Sequence, residues 1–127
     1  MPRFKSVMPM LKTRNLFRTI DFYVSVLGFE VDTLRPDDDP TCCILSRDGI
    51  NLSFVEDDTL WPGDSAMTGQ VWIDVSSLER LFAAIQDRVE ILRGPEVYSY
   101  GRREFSCKDP NGYALVFSEP ADTASTS

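Results

Sequence analysis

The chain has 127 residues, 43% of them hydrophobic and 26% charged, which is enough apolar mass for one cored domain. Its formal net charge is −7, a balance that argues against a phosphate-neutralising nucleic-acid face. It has no histidine, so the commonest general base and the commonest metal ligand are missing together.

The opening stretch, "MPRFKSVMPMLKT", lacks the apolar core of a secretory signal, and no run of about 18 apolar residues exists to span a membrane. A first strand is expected over Met8–Thr13. Asn15 is a good N-cap for a helix that stops at Gly28 and presents Leu16, Ile20, Tyr23, Val24 and Leu27 on one face. Three strands follow, Phe29–Leu34, Thr41–Ser46 and Ile50–Val55, the last two joined by the turn "RDG". Residues 57–68, "DDTLWPGDSAMT", read as a linker.

The same order then recurs. A strand is expected over Gln70–Val75, and a helix from Ser76 and Ser77, where Ser76 and Glu79 have capping-box spacing. That helix carries Leu78, Leu81, Phe82, Ile85 and Val89 on its apolar face. Strands over Glu90–Val97, Arg103–Lys108 and Tyr113–Ser118 follow, the last two joined by "DPNG", and residues 121–127 read as a frayed tail. "LSRDGINLSFVE" in the first half matches "CKDPNGYALVFSE" in the second: a charged turn with Gly, an alternating apolar run, a closing Glu. The expected fold is therefore α+β, one domain over residues 1–127 built from two tandem βαβββ modules, 7–56 and 69–120. These form a curved mixed sheet with the helices outside. One such module leaves a sheet face uncovered, and two enclose a cleft in which a ligand fits.

Strand alternation assigns the faces. Leu11, Leu52, Phe54, Ile73, Phe105, Cys107, Tyr113, Leu115 and Phe117 pack under the helices, whereas Met8, Asn51, Val55, Ala114, Val116 and Ser118 look inward. The expected ligand-lining set on that inner face is Met10, Ser53, Gln70, Trp72, Asp74, Glu104 and Ser106. Trp72 reads either as a core aromatic or as a ring for stacking flat heterocycles, and Trp61 either as a seam residue or as a second such ring. Glu104 is the candidate acid/base, a carboxylate facing a partly apolar cleft. Arg102 shares its strand parity and Arg103 does not, so only Arg102 is placed to meet it, as a cross-strand pair or as part of a site. The acidic runs "RPDDDP" (35–40) and "EDD" (56–58) are solvated loops or a field that draws cations. Cys42, Cys43 and Cys107 form neither a paired framework nor a C-x-x-C, which fits a reducing, cytoplasmic setting.

The segments "NLFRTIDFYVSVLGFEV" (15–31), "WIDVSSLERLFAAI" (72–85) and "YGRREFSCKDPNGYALVFSEP" (100–120) resemble the vicinal oxygen chelate superfamily. That superfamily includes glyoxalase I, extradiol dioxygenases, fosfomycin-resistance enzymes and bleomycin-resistance proteins. The resemblance runs from about Val7 to Pro120 and implies paired βαβββ modules and a homodimer. It also implies that the four metal-ligand positions of metal-dependent members fall on Met8, Ser53, Gln70 and Val116. Of these only Gln70 suits a hard divalent cation, so neither metal nor other cofactor is expected. The closest likeness is to the bleomycin-resistance branch, which carries no metal and sequesters an antibiotic, so the expected partners are a small cationic aromatic molecule and a second copy of the chain. The alternative is a glyoxalase-like lyase or dioxygenase in which Gln70 and Glu104 hold a weakly bound ion, and a third reading is a scaffold that keeps the fold only to dimerise.

Overall fold

The computed structural model describes residues 1–56 and 70–121. The linker with Trp61, and the tail beyond Ala121, lie outside the described residues. In chain order the elements are β1 (Met10–Lys12), α1 (Leu16–Ser25), β2 (Glu30–Arg35), β3 (Cys42–Arg47), β4 (Ile50–Val55), β5 (Val71–Asp74), α2 (Leu78–Ile85), β6 (Glu90–Tyr98), β7 (Arg102–Lys108) and β8 (Ala114–Pro120). The chain divides into two units, Met1–Ser65 and Ala66–Ser127, each holding one βαβββ module with its own mixed sheet of four strands. Among the described residues no helix is long and apolar enough to cross a membrane.

In the first unit the strand order is β1-β4-β3-β2, with β1 parallel to β4 and the other pairings antiparallel. β1 is shorter than the expected Met8–Thr13. Pro9 has no N–H for the ladder, though its carbonyl still accepts from Ser53 N at 3.0 Å. Met8 therefore precedes the strand and is exposed. The side chain of Asn15 caps α1 by accepting from Arg18 N at 3.1 Å. The helix buries Leu16, Thr19 and Tyr23, whereas Val24, expected inside, is exposed and Ile20 is only partly covered. Thr19 can occupy the core because its hydroxyl shares a hydrogen bond with Thr13 Oγ1 at 2.9 Å. Tyr23 anchors the layer, with its ring 5.0 Å from Phe54 and 5.6 Å from Phe29. The "RDG" turn has φ of 51° at Asp48 and 83° at Gly49, the pair of positive values that a two-residue hairpin requires.

In the second unit the order is β5-β8-β7-β6, with β5 parallel to β8. Phe82 of α2 meets Phe105 edge-on at 5.1 Å, and Phe105 lies 5.2 Å from Phe117, so the helix-side face holds the aromatic core. The expected Ser76–Glu79 capping box does not form. Ser77 is the N-cap and makes no side-chain cap bond, while Leu78 N donates to Glu119 Oε1 at 3.1 Å and Glu79 instead accepts from Arg103 at 3.0 Å. The "DPNG" turn is held by Asp109, whose Oδ1 accepts from Asn111 N at 2.8 Å and Tyr113 N at 2.9 Å. Ala121, expected to begin the frayed tail, is buried and donates its N–H to Gly101 O at 2.8 Å.

Candidate functional site

The face of the second sheet opposite α2 gathers most of the chemistry. Register places Asp74 opposite Ser118, Ser118 opposite Glu104, and Glu104 opposite Glu96, so four strands contribute one continuous cross-strand row. Trp72, Val116 and Ser106 form the next row to one side, and Tyr98, Arg102 and Pro120 the row to the other. Alternation puts all three rows on the same side of the sheet.

Arg102 ties the rows together. Its Nη2 donates to Asp74 Oδ1, its Nε donates to Ser118 Oγ at 2.9 Å, and its Cζ lies 5.1 Å from the centre of the Trp72 ring. Ser118 passes the connection on, donating its own hydroxyl to Glu104 Oε2 at 2.9 Å. Glu104 is 7% exposed and Ser118 fully buried. A carboxylate so nearly removed from water requires strong donors, and the Ser118 hydroxyl, polarised by a guanidinium on its other side, is one. The Glu104 carboxylate also acts on the Tyr100 phenol, pushing its hydroxyl above its ordinary value. Tyr98 is raised in the same way by Glu96, to which it donates at 2.8 Å. The Arg102–Asp74 pair is open to water on the Asp74 side, so its contribution to stability is at most about 1 kcal/mol and its effect is to fix the guanidinium against Trp72.

The second sheet thus brings Trp72, Asp74 and Glu104 together through Arg102 and Ser118. Trp72 is 51% exposed, which removes the reading of it as a core aromatic. Ser106 lies buried on the same face, and Arg103 points away to Glu79, as parity requires. Gln70 is exposed and precedes β5. Met10 and Ser53 belong to the first unit, where they are register partners; Ser53 is fully buried and its hydroxyl donates to Cys43 O at 2.9 Å. Asp74 is paired with Arg102. Register counted outward from the "DPNG" turn was the signal that pairs Ser118 with Glu104, and hence with Arg102 two residues earlier.

Three of the four positions that the family pattern assigns to a cation carry groups unsuited to a hard divalent ion. Val116 is apolar and buried, Met8 offers a thioether, and the Ser53 hydroxyl is committed to a backbone carbonyl. Among the described residues no three His, Cys, Asp or Glu side chains gather in a metal-holding group. The two buried thiols are poor nucleophiles: burial pushes Cys107 up to about 12, with Asp109 adding to the effect, and burial pushes Cys43 up to about 11.

The family model described as Glyoxalase/Bleomycin resistance protein/Dioxygenase superfamily matches residues 5–117. No curated protein matches the chain. Among solved structures, a member of the same superfamily from Sphaerobacter thermophilus DSM 20745 is similar with a TM-score of 0.76 at 18% identity, covering 91% of this chain and 98% of that one. TioX from Micromonospora sp. ML1 is similar at 0.74 and 21% identity, with 91% and 99% covered. The bleomycin-binding protein of bleomycin-producing Streptomyces verticillus, solved with copper(II)-bleomycin, is similar at 0.66 and 23% identity, with 95% and 98% covered. At these identities the likeness is one of fold.

Proposed function

The chain belongs to the Glyoxalase/Bleomycin resistance protein/Dioxygenase superfamily, and from that premise we propose that it is a metal-free binding protein that sequesters a planar, cationic aromatic small molecule. The observation that carries this reading is Trp72: half exposed, with the Arg102 guanidinium over its ring and the Asp74–Ser118–Glu104 row beside it. Arg102 already covers part of the indole, and the half of Trp72 left exposed is electron-rich and attracts a flat cation by about 0.5–2 kcal/mol depending on desolvation. Glu104 adds negative charge on the same face, where Asp74 and Glu96 are paired with Arg102 and Arg93, and the net charge of −7 draws cations toward the molecule as a whole. In this reading Trp72, Asp74, Glu104 and Ser106 hold the ligand in the second unit with Gln70 as a further contact, Met10 is a contact in the first unit, Ser53 is excluded by its burial, and the protein is a homodimer. A cytoplasmic setting suits the three free thiols. Bleomycin-type compounds are cationic, and the Streptomyces verticillus neighbour is named for binding bleomycin, so that class is the first to try.

The test is a titration of bleomycin and other aromatic cations followed by tryptophan fluorescence. Saturable quenching is expected in the wild type, with affinity falling about ten-fold or more in Trp72→Ala. Equal affinity in the two proteins rejects Trp72 as the contact. Protein purified without chelator and retaining stoichiometric Ni, Zn, Mn or Fe moves the assignment to a lyase or dioxygenase instead.

A further inference from the structure

Arg102 sits in the first row of β7 after the turn, opposite Tyr98 and Pro120. Its side chain runs back over the sheet, across the Asp74–Ser118–Glu104 row to the ring of Trp72 in the row beyond. There its Nη2 donates to Asp74 and its Nε donates to Ser118 Oγ at 2.9 Å, while the guanidinium carbon lies 5.1 Å from the ring centre. The Arg102 side chain is only 22% exposed, yet two of the groups it touches are open to water: Asp74 is 64% exposed and Trp72 51%.

Those contacts are the ones a flat cation needs. One ring face and one carboxylate oxygen do not serve two cations at once, and like charges a few ångströms apart repel. The open half of Trp72 allows a first contact, but a ligand reaches Asp74 and the whole ring only by taking the place of Arg102. The exchange needs no backbone movement. Arg102 adjoins the turn, where a Cβ on Gly101 would meet nothing within 4 Å, so rotation about side-chain bonds carries the guanidinium out to water. A cation tethered in this way competes at a high effective concentration that a free ion does not match. A bare guanidinium or ammonium brings nothing that Arg102 does not already supply, whereas several fused rings cover more of the indole than one guanidinium does.

We propose that Arg102 is the specificity-determining residue of the Trp72 site: a resident cation that occupies the ring and the Asp74 carboxylate, refuses small cations, and gives way only to one that makes more contact than a single guanidinium. The inference rests on the proposed binding function and adds to it what decides entry. It has an unusual consequence for a residue within a site, because removing Arg102 strengthens binding. Arg103 is the internal control. It carries the same charge one residue along, points to the other face and pairs with Glu79 at 3.0 Å, so its loss changes the net charge equally without opening the site.

Calorimetric titration of ethidium and of methylguanidinium into wild type, Arg102→Ala and Arg103→Ala tests this. With Arg102 covering the site about nine-tenths of the time, ethidium is expected to bind Arg102→Ala about ten-fold more tightly than the wild type, and Arg103→Ala to stay within about two-fold of the wild type. Methylguanidinium is expected to give saturable heats with Arg102→Ala, where it replaces the missing side chain, and flat heats with the other two proteins. Arg102→Gln, which keeps an amide donor without the charge, is expected to follow Arg102→Ala and replaces it if that variant fails to fold. Ethidium binding that is unchanged or weaker without the Arg102 guanidinium overturns the proposal. Equal gains in Arg102→Ala and Arg103→Ala overturn it too, since net charge alone then explains them. Methylguanidinium heats that are alike in wild type and Arg102→Ala show that Arg102 refuses nothing, and overturn it as well. Each of these results leaves the Trp72 reading standing. Flat heats with every aromatic cation in every protein overturn the binding function itself, and the role of Arg102 falls with it.

Discussion

Glu119 accepts a hydrogen bond from the backbone N–H of Leu78 at 3.1 Å, fastening the last strand of its module to the first turn of the helix. Glu56 makes the same contact with Leu16 in the first module. This is why both copies of the repeat end on Glu: each carboxylate satisfies an orphan donor at a helix N-terminus and favours the positive end of the helix dipole. Glu119→Ala is expected to cost about 1 kcal/mol, more than most exposed substitutions, seen as a lower urea midpoint with unchanged slope. Ser77→Ala, at an N-cap position with no side-chain cap bond, is expected to leave the midpoint nearly where it was.

Gly94 is required by the hairpin that carries the candidate site. Its φ is +77°, and a Cβ there would stand 2.4 Å from the carbonyl oxygen of Glu104 and 3.1 Å from Phe105 Cα. Gly94→Ala is therefore expected to lose on the order of 3 kcal/mol and to weaken ligand binding by shifting Glu104. A thermal melt and a titration of the same variant check both halves. Gly101→Ala has an equally left-handed backbone but no neighbour within 4 Å, and is expected to be the milder change.

Ser118 is the hinge of the polar chain, accepting from Arg102 and donating to Glu104. Ser118→Ala leaves a nearly buried carboxylate without that donor and is expected to destabilise by about 2 kcal/mol. In the double variant with Glu104→Ala the combined loss is expected to be smaller than the sum of the single losses, because both remove the same bond. Additive losses in a double-mutant cycle measured by urea unfolding contradict that coupling.

The two buried thiols give the fold an alkaline sensitivity. Cys43 is held at about 11 and Cys107 at about 12 in the fold, against 9.0 for an ordinary thiol. The fold favours the neutral form and the open chain ionises first. The resulting stability is therefore whole below pH 9 and fades as pH rises toward 11 for Cys43 and 12 for Cys107. Tyr98 and Tyr100 are raised too and push in the same direction. Urea midpoints under reducing conditions are expected to fall between pH 9 and 11, and to fall less steeply in the Cys43→Ala, Cys107→Ala double variant.

Much of this architecture was legible because its signals are local. Ile50–Val55 matches β4 at both ends, and the "RDG" and "DPNG" turns sit where positive φ and an aspartate side chain were needed. The second helix cap was misread because the group that caps Leu78 comes from 41 residues further along the chain, beyond any local pattern. Helix periodicity gave Ile20 and Val24 preference over Thr19 on hydrophobicity alone, and the Thr13 hydroxyl reversed that order. At the site, parity put Trp72, Asp74 and Glu104 on one face but said nothing of how exposed each is. Arg102 was visible as a neighbour in parity, yet its true partners, Asp74 and Ser118, are set by the pairing of three strands.

In the proposed function a flat cation binds this scaffold through aromatic and acidic side chains, with no ion between protein and ligand. The most direct measurement is calorimetric titration of bleomycin and ethidium into protein stripped of metal, with chelator present throughout. Saturable binding is expected, unchanged by the chelator and weakened in Trp72→Ala. Binding that appears only when a divalent ion is restored, or flat heats with every aromatic cation, contradicts metal-free capture of a flat cation.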